Sequence, residues 1–151
     1  MLFLLGINTG LRVGDLLKLK ASELRRKKKI VIYEGKTKKP RTINVSNIYT
    51  EIQDYLKGLD SEWLFPSRKG DKPITPTQAY RQLNKAGRMV DIEEGIGTHT
   101  MRKTFGYWFY KQTKDVAKLQ RILNHSRPEI TLIYIGITDE EIEADLNSFV
   151  L

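Results

Sequence analysis

Four histidine, arginine and tyrosine residues stand at spacings that could support acid–base or nucleophilic chemistry. His99 precedes Arg102 by three residues, and on a helix this spacing places both side chains on one face. His125 precedes Tyr134 by nine residues, and the chain has no third histidine. Imidazole exchanges a proton near neutral pH, guanidinium binds anionic oxygens, and an activated phenol is a nucleophile. Together, such side chains could bind and attack an anionic group.

Each of these residues also has an ordinary structural interpretation. A His-x-x-Arg pair is common on solvated helix faces, and an isolated arginine such as Arg12 usually lies at the surface or in a salt bridge. Lys36 is typical of a solvated hairpin, and His125 of a partly buried, hydrogen-bonded histidine. Tyr134 lies in an apolar stripe, as core tyrosines do. The order in which these residues follow one another therefore matters more than any single one.

The composition favours one globular domain with a polyanionic partner. The 151 residues are 40% hydrophobic and 29% charged, and the net charge of +8 gives a pI of about 9.6. Lysine and arginine release counterions when they bind phosphates, although a basic surface can also serve solubility alone. No cysteine is present, which excludes disulfides, thiol nucleophiles and cysteine-bound zinc and fits a cytosolic protein. The apolar residues 1–7 are too few to span a bilayer.

One small antiparallel sheet is predicted. The β-branched and aromatic segment Lys29–Glu34 reads as a strand, and Arg41–Val45 reads as its partner across a hairpin loop at residues 35–40. Residues 63–65 (Trp-Leu-Phe) are expected to add a third strand. Since the rest of the pattern is helical, the fold class is expected to be α+β, mainly α-helical with a small three-stranded antiparallel sheet.

Helices are expected to position most of the reactive side chains. Asn47, Thr75-Pro76 and Asp115 provide cap or first-turn residues, and residues 138–141 form a capping box. The predicted helices span residues 1–8, 12–19, 47–58, 75–90, 99–111, 115–124, 128–134 and 138–148.

Four segments, in this order, resemble the catalytic domain of tyrosine recombinases, a family that includes phage and transposon integrases. TGLRVGDLLKL resembles the first arginine box and GKTKKPRTINV the β-hairpin lysine loop. THTMRKTF resembles the His-x-x-Arg box, and LNHSRPEITLIY resembles the second histidine followed by the tyrosine. The resemblance covers nearly the full chain. Asn124 departs from it, because the family most often has glycine there, and this change is expected to alter the local turn.

The resemblance implies a site-specific recombinase that cleaves and rejoins DNA through a 3′-phosphotyrosine, without metal, ATP or another cofactor. Arg12, Arg102 and His125 would bind the scissile phosphate, and His99 would accept the proton of the Tyr134 phenol, whose pKa is ordinarily about 10. Lys36 would protonate the leaving 5′-oxygen. The six catalytic residues so implied are Arg12, Lys36, His99, Arg102, His125 and Tyr134.

Other residues near these segments receive secondary roles. Lys38 and Lys39 share the hairpin loop with Lys36, and either could reach the site as the general acid in its place. Both lysines, together with Arg41, are expected as possible further DNA contacts. Asp15, three residues after Arg12, is expected to buttress that arginine or its helix.

The expected partner is double-stranded DNA, bound by four protomers in the complete recombinase, with a monomer when DNA is absent and no membrane association. The resemblance implies a cytoplasmic location and a phage, mobile-element or bacterial origin. Residues 1–151 are expected to be a catalytic domain from which the N-terminal DNA-binding domain and the start of the catalytic domain are missing.

Three alternative functions compete with this interpretation. A type IB topoisomerase and a DNA-binding module without catalysis stay open. A metal-dependent hydrolase is disfavoured by two histidines without a clustered carboxylate triad.

Overall fold

The computed structural model describes residues 1–92, 95–97, 99–138, 143, 146–147 and 149–150, in two compact units, 1–102 and 103–151. Most of the predicted helix at 138–148 lies outside the described residues. No helix in the described part of the chain is both long and apolar enough to cross a membrane.

The described residues of the first unit form five complete α-helices around one apolar core. Leucines and isoleucines from all five elements and from the sheet are buried there, including Leu5, Leu16 and Ile52. The predicted helix at residues 12–19 is shorter than expected, and the single turn α3 was not predicted. The helices are α1 (Leu2–Thr9), α2 (Val13–Leu16), α3 (Ala21–Leu24), α4 (Tyr49–Lys57) and α5 (Pro76–Arg88).

Helix α1 ends as predicted at Gly10, which adopts the left-handed conformation with φ of 59°. Glycine reaches this region without a steric penalty, so the chain can turn sharply toward Arg12. The Gly10 N–H donates to the Gly6 carbonyl, which closes the helix. The Gly10 carbonyl is thereby left outside the helix, where other donors can reach it.

The sheet is an antiparallel hairpin of β1 (Lys29–Tyr33) and β2 (Pro40–Asn44), with Ile30 opposite Ile43. Inward-facing isoleucines alternate with exposed residues along β1, as period-two patterning requires. Both strands were predicted. The prediction of a third strand is wrong. Among the described residues, Trp63 forms only an isolated bridge with Lys20, so the sheet has two strands.

Side-chain capping explains where α5 begins but not where α4 begins. Asn47 was expected to cap a helix, but it lies in a 3-10 turn (Ser46–Ile48), and its side-chain amide donates to Asn8 at 2.8 Å. Helix α5 begins as predicted, because Thr75 and Gln78 form a reciprocal capping box in front of Pro76.

The second unit is built from helices, of which α8 carries Tyr134, while His125 lies in the short connection between α7 and α8. Its core consists of Leu119, Leu123, Ile135 and Ile137, with aromatic side chains packed around them. Asp115 caps α7 as predicted and accepts from the Lys118 N–H. The elements are α6 (Thr100–Thr113, which starts within the first unit), α7 (Val116–Leu123) and α8 (Pro128–Ile135).

Asn124 ends α7 in the left-handed conformation, with φ of 53°. Asparagine tolerates this region better than most residues, so it takes the conformation that glycine usually supplies. The following N–H, of His125, donates to the Gln120 carbonyl at 3.0 Å, as in a glycine-terminated helix. The expected alteration of the turn is therefore not seen.

Candidate active site

One cavity of about 350 Å³ in the first unit brings together three of the six predicted residues. Arg12, Lys36 and His99 line it, although 63 residues of sequence separate the last two. Lys36 and His99 are exposed, whereas Arg12 is half-buried. Neither Lys38 nor Lys39 lines this cavity. The cavity therefore joins a guanidinium, an ammonium and an imidazole around a space that an anionic group could enter.

The hairpin loop that carries Lys36 is anchored to the segment that carries Arg12. The Asp15 carboxylate, which also lines the cavity, accepts a hydrogen bond from the Gly35 N–H at 2.8 Å. A Cβ added at Gly35 would lie 3.0 Å from the same carboxylate oxygen, so this close approach favours glycine. Asp15 thus supports the hairpin rather than Arg12 itself, which refines the expected buttressing role.

Glu34 is the charged residue at this site that the sequence did not reveal. Glu34 is almost fully buried, with 1% of its surface exposed. Its carboxylate lies 3.0 Å from Arg12 Nη1 and 3.6 Å from Arg41 Nη1. The Thr37 hydroxyl donates to the same carboxylate at 2.9 Å. The Arg12 contact is an ion pair without hydrogen-bond alignment, and Arg12 Nη1 makes no aligned hydrogen bond with any described residue.

The carbonyl groups at the end of α1 hold two further arginines. Arg102, 2% exposed, donates from Nη1 to the Gly10 carbonyl. Arg41 donates from Nη2 to the Thr9 carbonyl at 2.6 Å and, over a long 3.5 Å, from Nη1 to Gly10. Burial lowers the pKa of the Arg41 guanidinium, and the nearby Glu34 charge opposes this effect. Arg41 was expected as a possible DNA contact, and its guanidinium is directed into the protein.

His99 and Arg102 lie in different environments. His99 precedes the first residue of α6 and is exposed, whereas Arg102 is buried within the helix. The predicted helix at 99–111 begins one residue later than expected, at Thr100, so His99 lies directly before α6 and not within it.

His125 and Tyr134 lie next to each other in the second unit. Their rings meet edge to face with centroids 5.0 Å apart, and the Lys103 ammonium lies 5.7 Å from the Tyr134 ring centroid. His125 Nδ1 lies 3.0 Å from the hydroxyl of Thr131, a fully buried residue that the sequence interpretation missed. The predicted nine-residue spacing thus brings this imidazole and phenol together, with a lysine charge beside the phenol.

A larger cavity lies elsewhere in the first unit. It measures about 590 Å³ and lies between the loop after Phe65 and helix α5, away from every predicted site residue. We take the smaller cavity as the candidate site because three of the predicted site residues line it. The described residues contain no cluster of three metal-ligating side chains.

Comparison with known proteins decides the family. Residues 1–141 match the model of the phage integrase family. This chain belongs to the phage integrase family. It is 47% identical to the probable integrase/recombinase YoeC of Bacillus subtilis. The match spans 150 residues, which make up 98% of this chain and 82% of that protein. The predicted family and enzyme class, a tyrosine recombinase, are confirmed.

Solved integrase and recombinase structures share the fold. The XerA recombinase superposes with a TM-score of 0.77 at 24% identity, over 97% of this chain and 57% of that one. The Tn1549 transposon integrase, in complex with transposon right end DNA, superposes with a TM-score of 0.73 at 19% identity, over 96% of this chain and 56% of that one. The chain also spans about half of the length of most other curated recombinases that it matches. The predicted helix-rich α+β recombinase fold is confirmed, apart from the third strand.

Proposed function

We propose that this chain cleaves and rejoins DNA strands as the catalytic domain of a site-specific recombinase, with Tyr134 as the nucleophile. The observation that carries the proposal is the cavity where Arg12, Lys36 and His99 meet. A basic side chain, a potential proton acceptor and a potential proton donor are the groups that phosphoryl transfer from a diester requires.

In the proposed reaction, the Tyr134 oxygen attacks the scissile phosphorus and transfers its proton to His99. Arg12 and Arg102 bind the non-bridging oxygens and offset the charge that develops on them, as metal ions do in other phosphoryl-transfer enzymes. The bond to the 5′-oxygen breaks as Lys36 donates a proton to it. The 5′-hydroxyl of another strand then attacks the phosphotyrosine, so the diester is restored without an external energy source.

Two features of the site support the individual assignments. Arg12 lines the cavity with its side chain 23% exposed, while its buried Nη1 lies 3.0 Å from the Glu34 carboxylate, so the guanidinium is held from inside at the edge of a space that an anion could enter. Lys36 lines the cavity whereas Lys38 and Lys39 do not, which favours Lys36 as the general acid.

The proposed partner is double-stranded DNA. The net charge of +8 suits a polyanion, and one structural neighbour is a transposon integrase in complex with DNA. We extend the proposal to an assembly of four protomers on DNA and to action in the cytoplasm, where bacterial and phage DNA lies.

A covalent-trapping assay tests the proposal. The protein is incubated with a nicked suicide duplex whose cleaved strand loses its 5′-hydroxyl end, and a denaturation-resistant protein–DNA adduct is sought on a gel. We expect an adduct from the wild type and from Tyr110→Phe, a matched control in the same unit, and none from Tyr134→Phe. An adduct from Tyr134→Phe, or none from the wild type while it binds the duplex, would contradict the proposal. Supercoil relaxation without strand exchange would instead indicate a topoisomerase.

A further inference from the structure

A chain of contacts links the two predicted phosphate-binding arginines through residues that face the protein interior. Arg102 donates to the Gly10 carbonyl, and Arg41 binds the carbonyls of Thr9 and Gly10. Arg41 also pairs with Glu34, which pairs with Arg12. Glu34 and Arg41 are therefore the two side chains that connect Arg12 with the end of α1.

Glu34 is the counter-charge of both Arg12 and Arg41 in this chain of contacts. The Arg41 side chain is 14% exposed and that of Arg12 is 23% exposed, while the Glu34 side chain is 2% exposed. A buried guanidinium is stable only when it has a counter-charge or hydrogen-bond acceptors. With a neutral residue at position 34, two cations would face each other across a few ångströms, and Arg12, the more exposed of them, is the one that can move away.

Glu34 also acts on the hairpin. Its carboxylate accepts from the Thr37 hydroxyl, and its backbone carbonyl accepts from the Lys38 N–H at 2.8 Å. These hydrogen bonds close the turn that contains Lys36, in addition to the hydrogen bond from the Gly35 N–H to Asp15. One buried carboxylate thus restrains both the arginine and the loop that carries the lysine.

We propose that Glu34 and Arg41 are positioning residues of the strand-cleavage site, which hold Arg12 in place for the scissile phosphate. This inference rests on the proposed function. It assigns Arg41 an internal role in place of a direct contact with DNA. Neither residue is expected to touch the substrate, so their substitution acts through Arg12 and leaves the affinity for DNA largely unchanged.

The first test compares Glu34→Gln with Glu51→Gln, which removes the same charge from an exposed position on α4. Single-turnover cleavage of the suicide duplex is measured at saturating protein, together with DNA affinity. Because a displacement of about 1 Å can cost roughly 100-fold in rate, we expect Glu34→Gln to cleave between about 10-fold and 100-fold more slowly, with affinity within about threefold. Glu51→Gln should match the wild type. A Glu34→Gln rate within about twofold of wild type would overturn the inference.

The double variant Glu34→Gln/Arg41→Gln separates positioning from mere stability. Removing both members of a buried pair restores the local charge balance, so the melting temperature should recover most of what Glu34→Gln loses. Arg12 still lacks its partner, so cleavage should stay slow. Cleavage that recovers in step with the melting temperature would show a purely structural role and overturn the inference, even if Glu34→Gln alone folds poorly.

A substrate with an uncharged methylphosphonate at the scissile position gives an independent readout. This group lacks one anionic oxygen, so cleavage depends less on a correctly placed arginine. The ratio of wild-type to Glu34→Gln rates should therefore shrink by at least about fivefold on this substrate. An unchanged ratio would overturn the inference while wild-type cleavage still supports the proposed function. No wild-type adduct on either substrate would overturn both.

Discussion

His125 owes its orientation to one buried hydroxyl. Thr131 is completely buried, and its hydroxyl lies 3.0 Å from His125 Nδ1 and 3.5 Å from the Arg127 carbonyl. A hydrogen bond at Nδ1 fixes the orientation of the ring and directs Nε2 away from Thr131. Nε2 is the nitrogen with which His125 would bind the phosphate. Thr131 therefore determines which of the two ring nitrogens can bind the substrate.

Replacing Thr131 by valine should weaken both stability and catalysis. Valine keeps the shape of threonine but removes the partner of Nδ1, at a cost of about 1 kcal/mol. We expect roughly fivefold slower cleavage if the same energy is lost in the transition state. Thr131→Ser keeps the hydroxyl and serves as the control, with a rate near wild type. Equal rates for the valine and serine variants would show that the hydroxyl does not orient His125.

The site residues that sequence reasoning found and missed differ in where their partners lie. Tyr134 and His125 were predicted from a spacing along the chain, and they do lie together. Glu34 was predicted only as the end of a strand. Its partners Arg12 and Arg41 come from other elements, so no spacing along the chain indicated the ion pairs. One local indication existed: Glu34 follows Ile30 and Ile32 at even spacing, so it falls on the inward face of the strand. A charge at an inward position needs a partner, and this could have drawn attention to it.

Elements with local determinants were predicted well. Helices α5 and α7 have side-chain caps at Thr75 and Asp115, and the β-hairpin has alternating isoleucines. The third strand failed for a tertiary reason. Residues 63–65 are apolar and aromatic, but their backbone hydrogen bonds go to two different segments, near Leu19 and at Ile74, and among the described residues form one isolated bridge and no continuous ladder. Whether a segment forms a strand depends on neighbouring backbone with which it can pair, and β-propensity alone does not supply that backbone.

Helices α6 and α8 approach closely at a glycine. A Cβ added to Gly106 would lie 2.7 Å from Ile135 Cγ2, closer than carbon atoms can pack, and 3.4 Å from Leu123. Ile135 adjoins Tyr134 on α8, and its branched Cβ leaves little freedom to move away. The absence of a side chain at Gly106 thus sets the position of the helix that carries the proposed nucleophile.

Gly106→Ala should therefore destabilise the protein and displace Tyr134. Overpacking of this kind costs about 1 to 3 kcal/mol, partly offset by the better helix propensity of alanine. We expect a lower melting temperature and slower adduct formation. Gly58→Ala, where a new Cβ meets no atom within 4 Å, is the control. A Gly106→Ala variant as stable and active as wild type would show that α8 can shift without consequence.

The basic charge is distributed unevenly over the whole molecule. Residues 1–102 contain 20 of the 26 lysines and arginines but only 11 of the 18 acidic residues, so the entire excess lies in that part of the chain. The candidate cavity and the basic hairpin belong to the same unit. Because contacts with phosphates carry no sequence information, this excess should produce binding that is largely indifferent to sequence.

Binding of this chain to duplex DNA should be micromolar or weaker at physiological salt and should weaken steeply as salt rises. Each phosphate neutralised contributes a slope of about −0.9 to the dependence of log affinity on log salt. Lys38→Gln and Lys39→Gln, on the exposed hairpin, should each reduce the slope by about one if they contact phosphates. Lys57→Gln removes a lysine already paired with Asp54 at 2.7 Å and should leave the slope unchanged. Titrations by fluorescence anisotropy at several salt concentrations measure all four proteins. Nanomolar affinity for one specific site at physiological salt, with a shallow slope, would mean that direct recognition of bases, and not this charge excess, dominates binding.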